Sequence, residues 1–161
     1  RKDITMNINS IMKRQERKEG EYINVFNEDH KHNKLIEDIC FKSDMEIIDS
    51  EYNLLSEALD FIQEYISDKI DDGFSLDDFD IDDIEVFKFV DSAQLVYTDD
   101  LLKWLEEVGT EYTDQALEEY GEFKTTTSLL TIAHSIHAEK MFFIAVEVVN
   151  AIIEEDNKEV N

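Results

Sequence analysis

The sequence predicts an all-α chain: a single helical domain of about six or seven helices, with a long apolar C-terminal helix expected to dimerise. Three observations carry this expectation. The 161 residues contain no proline and four glycines, and Gly73, Gly109 and Gly121 each follow an amphipathic run, where a helix end favours a residue tolerant of positive φ. Apolar residues recur at three- and four-residue steps through most of the chain. Strand-like alternation is confined to residues 22–26, a short and weak run.

Taken in order, a first helix is expected over about residues 4–18. A second covers about residues 28–41, with Leu35, Ile36, Ile39 and Cys40 inward. The third opens at Asp49 or Ser50 as cap, and Leu54, Leu55, Ala58, Leu59, Ile62, Tyr65, Ile66 and Ile70 mark its buried face up to Gly73. Ser75 with Asp78 three residues on reads as a capping box that opens a fourth helix through Ile84, Phe87 and Val90. Thr98 caps a fifth, with Asp99 and Asp100 at its positive end and Gly109 as its stop. Thr113 caps a short sixth. Thr126 or Thr127 opens the last, which runs to about residue 155 and is apolar nearly all round, as a central or subunit-paired helix would be.

The charge is the unusual property. Basic residues number 15 and acidic residues 40, a formal net of −25. Residues 1–20 are basic, six against three with a net of +3, so residues 21–161 hold −28. This divides the chain into a basic N-terminal arm, 1–20, and an acidic helical domain, 21–161. Solubility is served by a net charge of roughly 2–8, and a larger excess costs compact-state stability through self-repulsion. Such a surface discourages contact with nucleic acid and anionic membrane. The single cysteine, Cys40, excludes an intramolecular disulfide and fits a reducing compartment. With no apolar run long enough to span a bilayer and no signal pattern, the expected location is cytoplasmic.

The acids concentrate between residues 68 and 122, where only Lys69, Lys88 and Lys103 oppose them. They are interleaved with apolar residues such as Phe74, Phe79, Ile84, Phe89, Leu101 and Trp104, so this stretch is expected to fold and to hold its charge on a rigid face rather than as a solvated tail. The common chemistries do not fit it. With Asp68 at the first position of a calcium loop, the third is Ile70 and the twelfth Phe79, where oxygen ligands are required. His30-Lys31-His32 and His134-x-x-His137 lack a third or fourth zinc ligand, and the latter pair reads as partly buried or at an interface. No phosphate loop and no nucleophile elbow occurs. No pair of carboxylates stands out for acid/base work. Cys40, between Ile39 and Phe41, reads as core. No enzyme activity, metal or cofactor is expected.

Geometry suggests a use for the acids. Duplex DNA carries one negative charge per about 1.7 Å of axis, so an excess of 28 corresponds to roughly 48 Å of duplex. Helix residues three or four apart lie about 5–6 Å from one another on one face, a separation suited to imitating a phosphate row. The expected partner-binding acids are Asp68, Asp71, Asp72, Asp77, Asp78, Asp80, Asp82, Asp83, Glu85, Asp91, Asp99, Asp100, Glu106, Glu107, Glu111, Asp114, Glu118, Glu119 and Glu122. Tyr22, Tyr65, Tyr97, Tyr112, Tyr120 and Trp104 would add aromatic anchoring where they are exposed. The expected partner is a basic DNA-binding protein, and the expected dimer contact is Phe142, Phe143, Val146 and Val149 on the last helix.

Residues 88–123, KFVDSAQLVYTDDLLKWLEEVGTEYTDQALEEYGEF, resemble a pattern of small acidic phage proteins, A-D-x-x-V-P-x-Y-x-x-D-L-L, that includes the Ocr-type antirestriction proteins. Val90-Asp91-Ser92 stands for the leading Ala-Asp, Val96-Tyr97 for the central pair, and Asp99-Asp100-Leu101-Leu102 for the capped helix. The proline of the pattern is missing, since Leu95 precedes Val96 directly. The resemblance implies an all-helical dimer that mimics bent DNA and blocks type I restriction-modification enzymes. The expected function is thus an acidic DNA mimic from a phage or mobile element that occupies the groove of a host defence enzyme. The alternatives are an immunity or antitoxin protein for a basic nuclease, and an acidic structural or scaffold module.

Overall fold

A computed structural model of the chain describes residues 33–45, 48–93 and 99–160. The expected first helix, the basic arm, the strand-like run at 22–26, His30 and His32, Thr98 and the central Val96-Tyr97 all lie outside these residues. The described residues are all helix, turn and irregular chain, without a strand. No helix among them is long and apolar enough to cross a membrane.

The elements are α1 (Asn33–Lys42), α2 (Asp49–Asp71), a 3-10 turn (Ile81–Asp83), α3 (Val86–Ser92), α4 (Asp99–Trp104), a π-helical turn (Leu105–Gly109), α5 (Thr110–Tyr120) and α6 (Thr126–Val160). At about 1.5 Å per residue, the 35 residues of α6 span roughly 52 Å. The other elements collect along it: α1, α2, α3, α5, the 3-10 turn and the π turn all pack against α6. That explains why its sequence is apolar nearly all round.

Two apolar clusters form along this axis. One joins α1, α2, the 3-10 turn and α3 to the C-terminal part of α6, from Ala138 to Ile152. At its centre Phe89 stacks on Phe142 at 5.5 Å, and Phe61 meets Phe89 edge-on at 5.6 Å. Such ring pairs add to the energy of area burial. The second cluster joins Leu101, Trp104, Val108, Tyr112 and Ala116 to Leu130 and Ala133 near the start of α6. Counted along α6 at 1.5 Å per residue, the two cluster centres lie about 20 Å apart.

Helix ends follow the local chemistry in some places and depart from it in others. Gly73 (φ 94°) closes α2, with Phe74 N–H donating to Lys69 C=O and Gly73 N–H to Ile70 C=O, the paired bonds of a glycine-terminated helix. Gly121 also closes α5 with a positive φ, 79°. Gly109 does not end a helix. Its φ of −57° is right-handed helical, and α4, the π turn and α5 run on as one rod. A Cβ at Gly109 would lie 2.9 Å from Leu105 Cδ2 and 3.4 Å from the Trp104 ring, so glycine serves close packing there. The expected cap Thr113 accordingly lies inside α5, its hydroxyl donating to Thr110 C=O. Ser75 and Asp78 pair as expected, with Ser75 N–H donating to Asp78 Oδ2 at 2.8 Å. The pair closes a turn rather than opening a helix, and α3 begins only at Val86. At the start of α6 it is Thr125 Oγ1 that accepts Ser128 N–H, one residue before the expected caps.

Candidate functional site

The acidic surface is built on these two clusters. Over the larger one, α2 carries its apolar residues Leu54, Leu55, Ala58, Leu59, Ile62 and Ile66 inward. On its opposite side Glu57, Asp60, Glu64, Asp68 and Asp71 are all exposed. Their spacing of three, four, four and three residues sets them in one row on the outer face, with neighbours about 5–6 Å apart. The row reads on into the Gly73 turn and the 3-10 turn, where Asp72, Asp77, Asp78, Asp80, Asp82, Asp83 and Glu85 are exposed, followed by Asp91 at the end of α3.

This irregular stretch is pinned by its own acids. Asp80 Oδ1 accepts Asp82 N–H at 2.9 Å and caps the 3-10 turn. Asp82 Oδ1 accepts the Asn150 side-chain N–H at 3.0 Å, tying the turn to α6. The hydrogen bonds from Ser75 backbone and side chain hold the Asp78 carboxyl below its usual range. Lys69, beside the row, sets its ammonium 5.0 Å from the Phe74 ring centre and 5.6 Å from that of Tyr65, as in a cation–π contact. Lys88 makes an exposed pair with Glu85 at 3.6 Å.

The second group of expected acids rides on the π turn and α5. Glu106, Glu111, Asp114, Glu118, Glu119 and Glu122 are exposed there. Glu107 has a different use. Its Oε1 accepts Ser50 N–H at 3.1 Å and Ser50 O–H at 2.6 Å. The N-terminal residue of α2 is preceded by Ile48, which has no capping side chain, so Glu107 caps α2 from 57 residues away. The expectation that Asp49 or Ser50 caps α2 is corrected: Ser50 lies within the first turn and is itself capped. The side chains of Asp99 and Asp100 lie outside the described ones.

The expected dimer contact is largely consumed by the monomer. Phe142 and Val149 are core residues, 1% and 0% exposed, because they face α3 and the larger cluster. Phe143 remains 53% exposed, and Val146 is half-buried. The aromatic anchors divide likewise: Trp104 and Tyr112 are buried, Tyr65 is half-buried and Tyr120 is exposed.

The reactive side chains are closed off. Burial, with the charges of Glu37, Glu51 and Glu147 behind it, pushes the Cys40 thiol up to about 12, so it stays protonated and inert. Burial, followed by the neighbouring His137, lowers His134 to about 4. No group of three or more metal-ligating side chains occurs among the described residues.

Sequence reasoning that began at Asp68 missed Glu57, Asp60 and Glu64. The signal was present, since these acids fall opposite the apolar positions of the same helix. No family model, curated protein or solved structure matches this chain.

Proposed function

We propose that this chain is an acidic mimic of duplex DNA, of phage or mobile-element type, that occupies the basic groove of a host DNA-binding defence enzyme and inhibits it without turnover. The observation that carries the reading is the exposed row Glu57–Asp60–Glu64–Asp68–Asp71, continued by the acids of the two turns. These carboxylates are fixed on a well-packed helix rather than on a solvated tail, so their spacing is preserved when a partner approaches. The length of α6, roughly 52 Å, also supports it, being close to the duplex length that the excess charge would represent.

The proposed active form is one chain. The outward stripe of α6 places Glu139 and Glu147 one turn to either side of Phe143, all three exposed. Antiparallel pairing of two copies through Phe143 would set these glutamates against each other, and like charges in contact oppose association.

The test is competition on a type I restriction-modification enzyme holding a labelled duplex. Added chain should displace the duplex with a competitive dependence on duplex concentration, and less effectively as salt is raised. Failure to displace DNA at low salt would remove this class of target. Displacement from one nuclease alone, with other DNA-binding enzymes ignored, would favour the immunity-protein alternative.

A further inference from the structure

The seam between the two clusters is closed by buried polar groups that the acidic surface does not use. His137 lies on α6 between the residues of the smaller cluster and those of the larger, and is 0% exposed. Its Nδ1 accepts the Trp104 indole N–H at 2.8 Å. An indole nitrogen only donates, so Nδ1 carries no proton and His137 is the Nε2–H tautomer. Nε2–H then donates to Glu51 Oε2 at 3.0 Å, and Glu51 is 1% exposed in the first turn of α2. The Tyr112 ring of α5 stacks on the imidazole at 4.4 Å. Every polar contact of the imidazole is therefore satisfied in one protonation state.

We infer that Trp104–His137–Glu51 is a proton-sensitive latch that fixes the α4–π–α5 rod, and the acids it carries, against α2 and α6. Adding one proton from solvent at Nδ1 converts that atom from acceptor to donor. Two N–H groups then face each other, and the bond to Trp104 is lost. The bond to Glu51 survives and becomes an ion pair, so protonation frees the Trp104 indole from α6 and loosens the end of α4, while α6 stays joined to α2. The groups around the imidazole favour this outcome over general unfolding. Glu51 from α2 attracts the new charge, and Glu107 from the π turn keeps its own bonds to Ser50. His134, one turn away on α6, opposes a second charge nearby and stays neutral to lower pH. The thiol of Cys40, pushed up by burial, carries no charge in this range.

Trp104 is the single tryptophan of the chain, so its emission reads the latch directly. The full chain is titrated from about pH 7.5 to about pH 5 at fixed ionic strength, above the range where ordinary carboxyls protonate. The expected result is a sigmoidal red shift of emission with far-UV circular dichroism unchanged. His137→Gln supplies an acceptor for Trp104 and a donor for Glu51 without titrating, and its emission should stay flat. His134→Gln should keep the transition. A flat wild-type curve, or the same curve in H137Q, overturns the latch. Should H137Q not fold, the His137 C2–H proton resonance of the wild type takes its place. Its titration must coincide with the tryptophan change, and a separate midpoint overturns the proposal equally. None of these readings depends on a DNA-binding partner, so the latch and the mimic stand or fall apart.

Discussion

Phe142 and Phe143 are neighbours with opposite fates, and the difference is one of direction on α6. Phe142 is 1% exposed and stacks on Phe89, whereas Phe143 is 53% exposed. Phe142→Ala should cost about 3–5 kcal/mol in urea unfolding, from lost transfer energy and the cavity left behind. Phe143→Ala should fall within about 0.5 kcal/mol and leave the oligomeric state unchanged by light scattering. Comparable costs at the two positions would mean that Phe143 is covered by something. His134 supplies a pH dependence at the same scale. Its folded value of about 4 lies below its ordinary 6.5, so the unfolded chain binds the extra proton between those limits. Stability is thus complete above about pH 6.5 and falls as pH drops toward 4. Between pH 7 and pH 5 the share of the loss due to this residue should be about 2 kcal/mol, read as the difference between wild-type and His134→Gln urea midpoints across that window. A stability that rises on acidification over this window would mean that relief of charge repulsion outweighs the histidine.

At the scale of elements, the end of α2 is the clearest test of local sequence chemistry. Gly73 has φ 94° and nothing within 4 Å of an added Cβ, so any cost of substitution is backbone strain alone. Gly73→Ala should destabilise by about 1–2 kcal/mol, and Gly73→Asn by less, because asparagine tolerates the left-handed region. Equal effects would show that the strain is relieved by rearrangement of the turn. This helix end was legible in the sequence because periodicity and glycine agreed. The inward faces of α1 and α2 were legible for the same reason. Other elements were not, each for an identifiable cause. Ser75 and Asp78 satisfy one another within a turn, and Asp80 accepts the backbone N–H of Asp82. Such local bonds compete with helix continuation, so the expected fourth helix became a turn, a 3-10 turn and the short α3. Gly109 read as a stop, because a sequence does not reveal that the Trp104 and Leu105 side chains occupy the place of its Cβ. The cap that Glu107 gives α2 spans 57 residues and has no local signature. The buried seam was half-visible: His134 and His137 read as a partly buried or interface pair, while Glu51 and Trp104 came from elsewhere in the chain.

For the whole molecule, the question is whether the charge acts as a sum or as a pattern. Two sets of acids sit on two clusters whose centres are about 20 Å apart along α6. A partner that reads a duplex-like row should need α2 and its following turns together, and should respond to α5 as a second region of contact. The α2 row can be tested without disturbing the core, since Glu57, Asp60, Glu64, Asp68 and Asp71 are all exposed. Changing these five to Gln and Asn leaves the inward face of the helix intact. The folded stability should hold or rise, because self-repulsion falls. Displacement of DNA from the target enzyme should weaken by about 10- to 1000-fold at low salt, from loss of several partly screened pairs of about 0.3–1 kcal/mol each. The salt dependence should flatten as well, since fewer ionic contacts remain to be screened. An equal number of acids neutralised on α1, the turn after it and the C-terminal half of α6 (Asp38, Asp44, Glu147, Glu154 and Glu155, for instance) provides the control of matched net charge. If the partner reads a pattern, this second variant binds nearly as the wild type does. If both variants lose affinity and salt dependence equally, the partner responds to net charge alone, and the mimicry of a phosphate row on α2 is wrong.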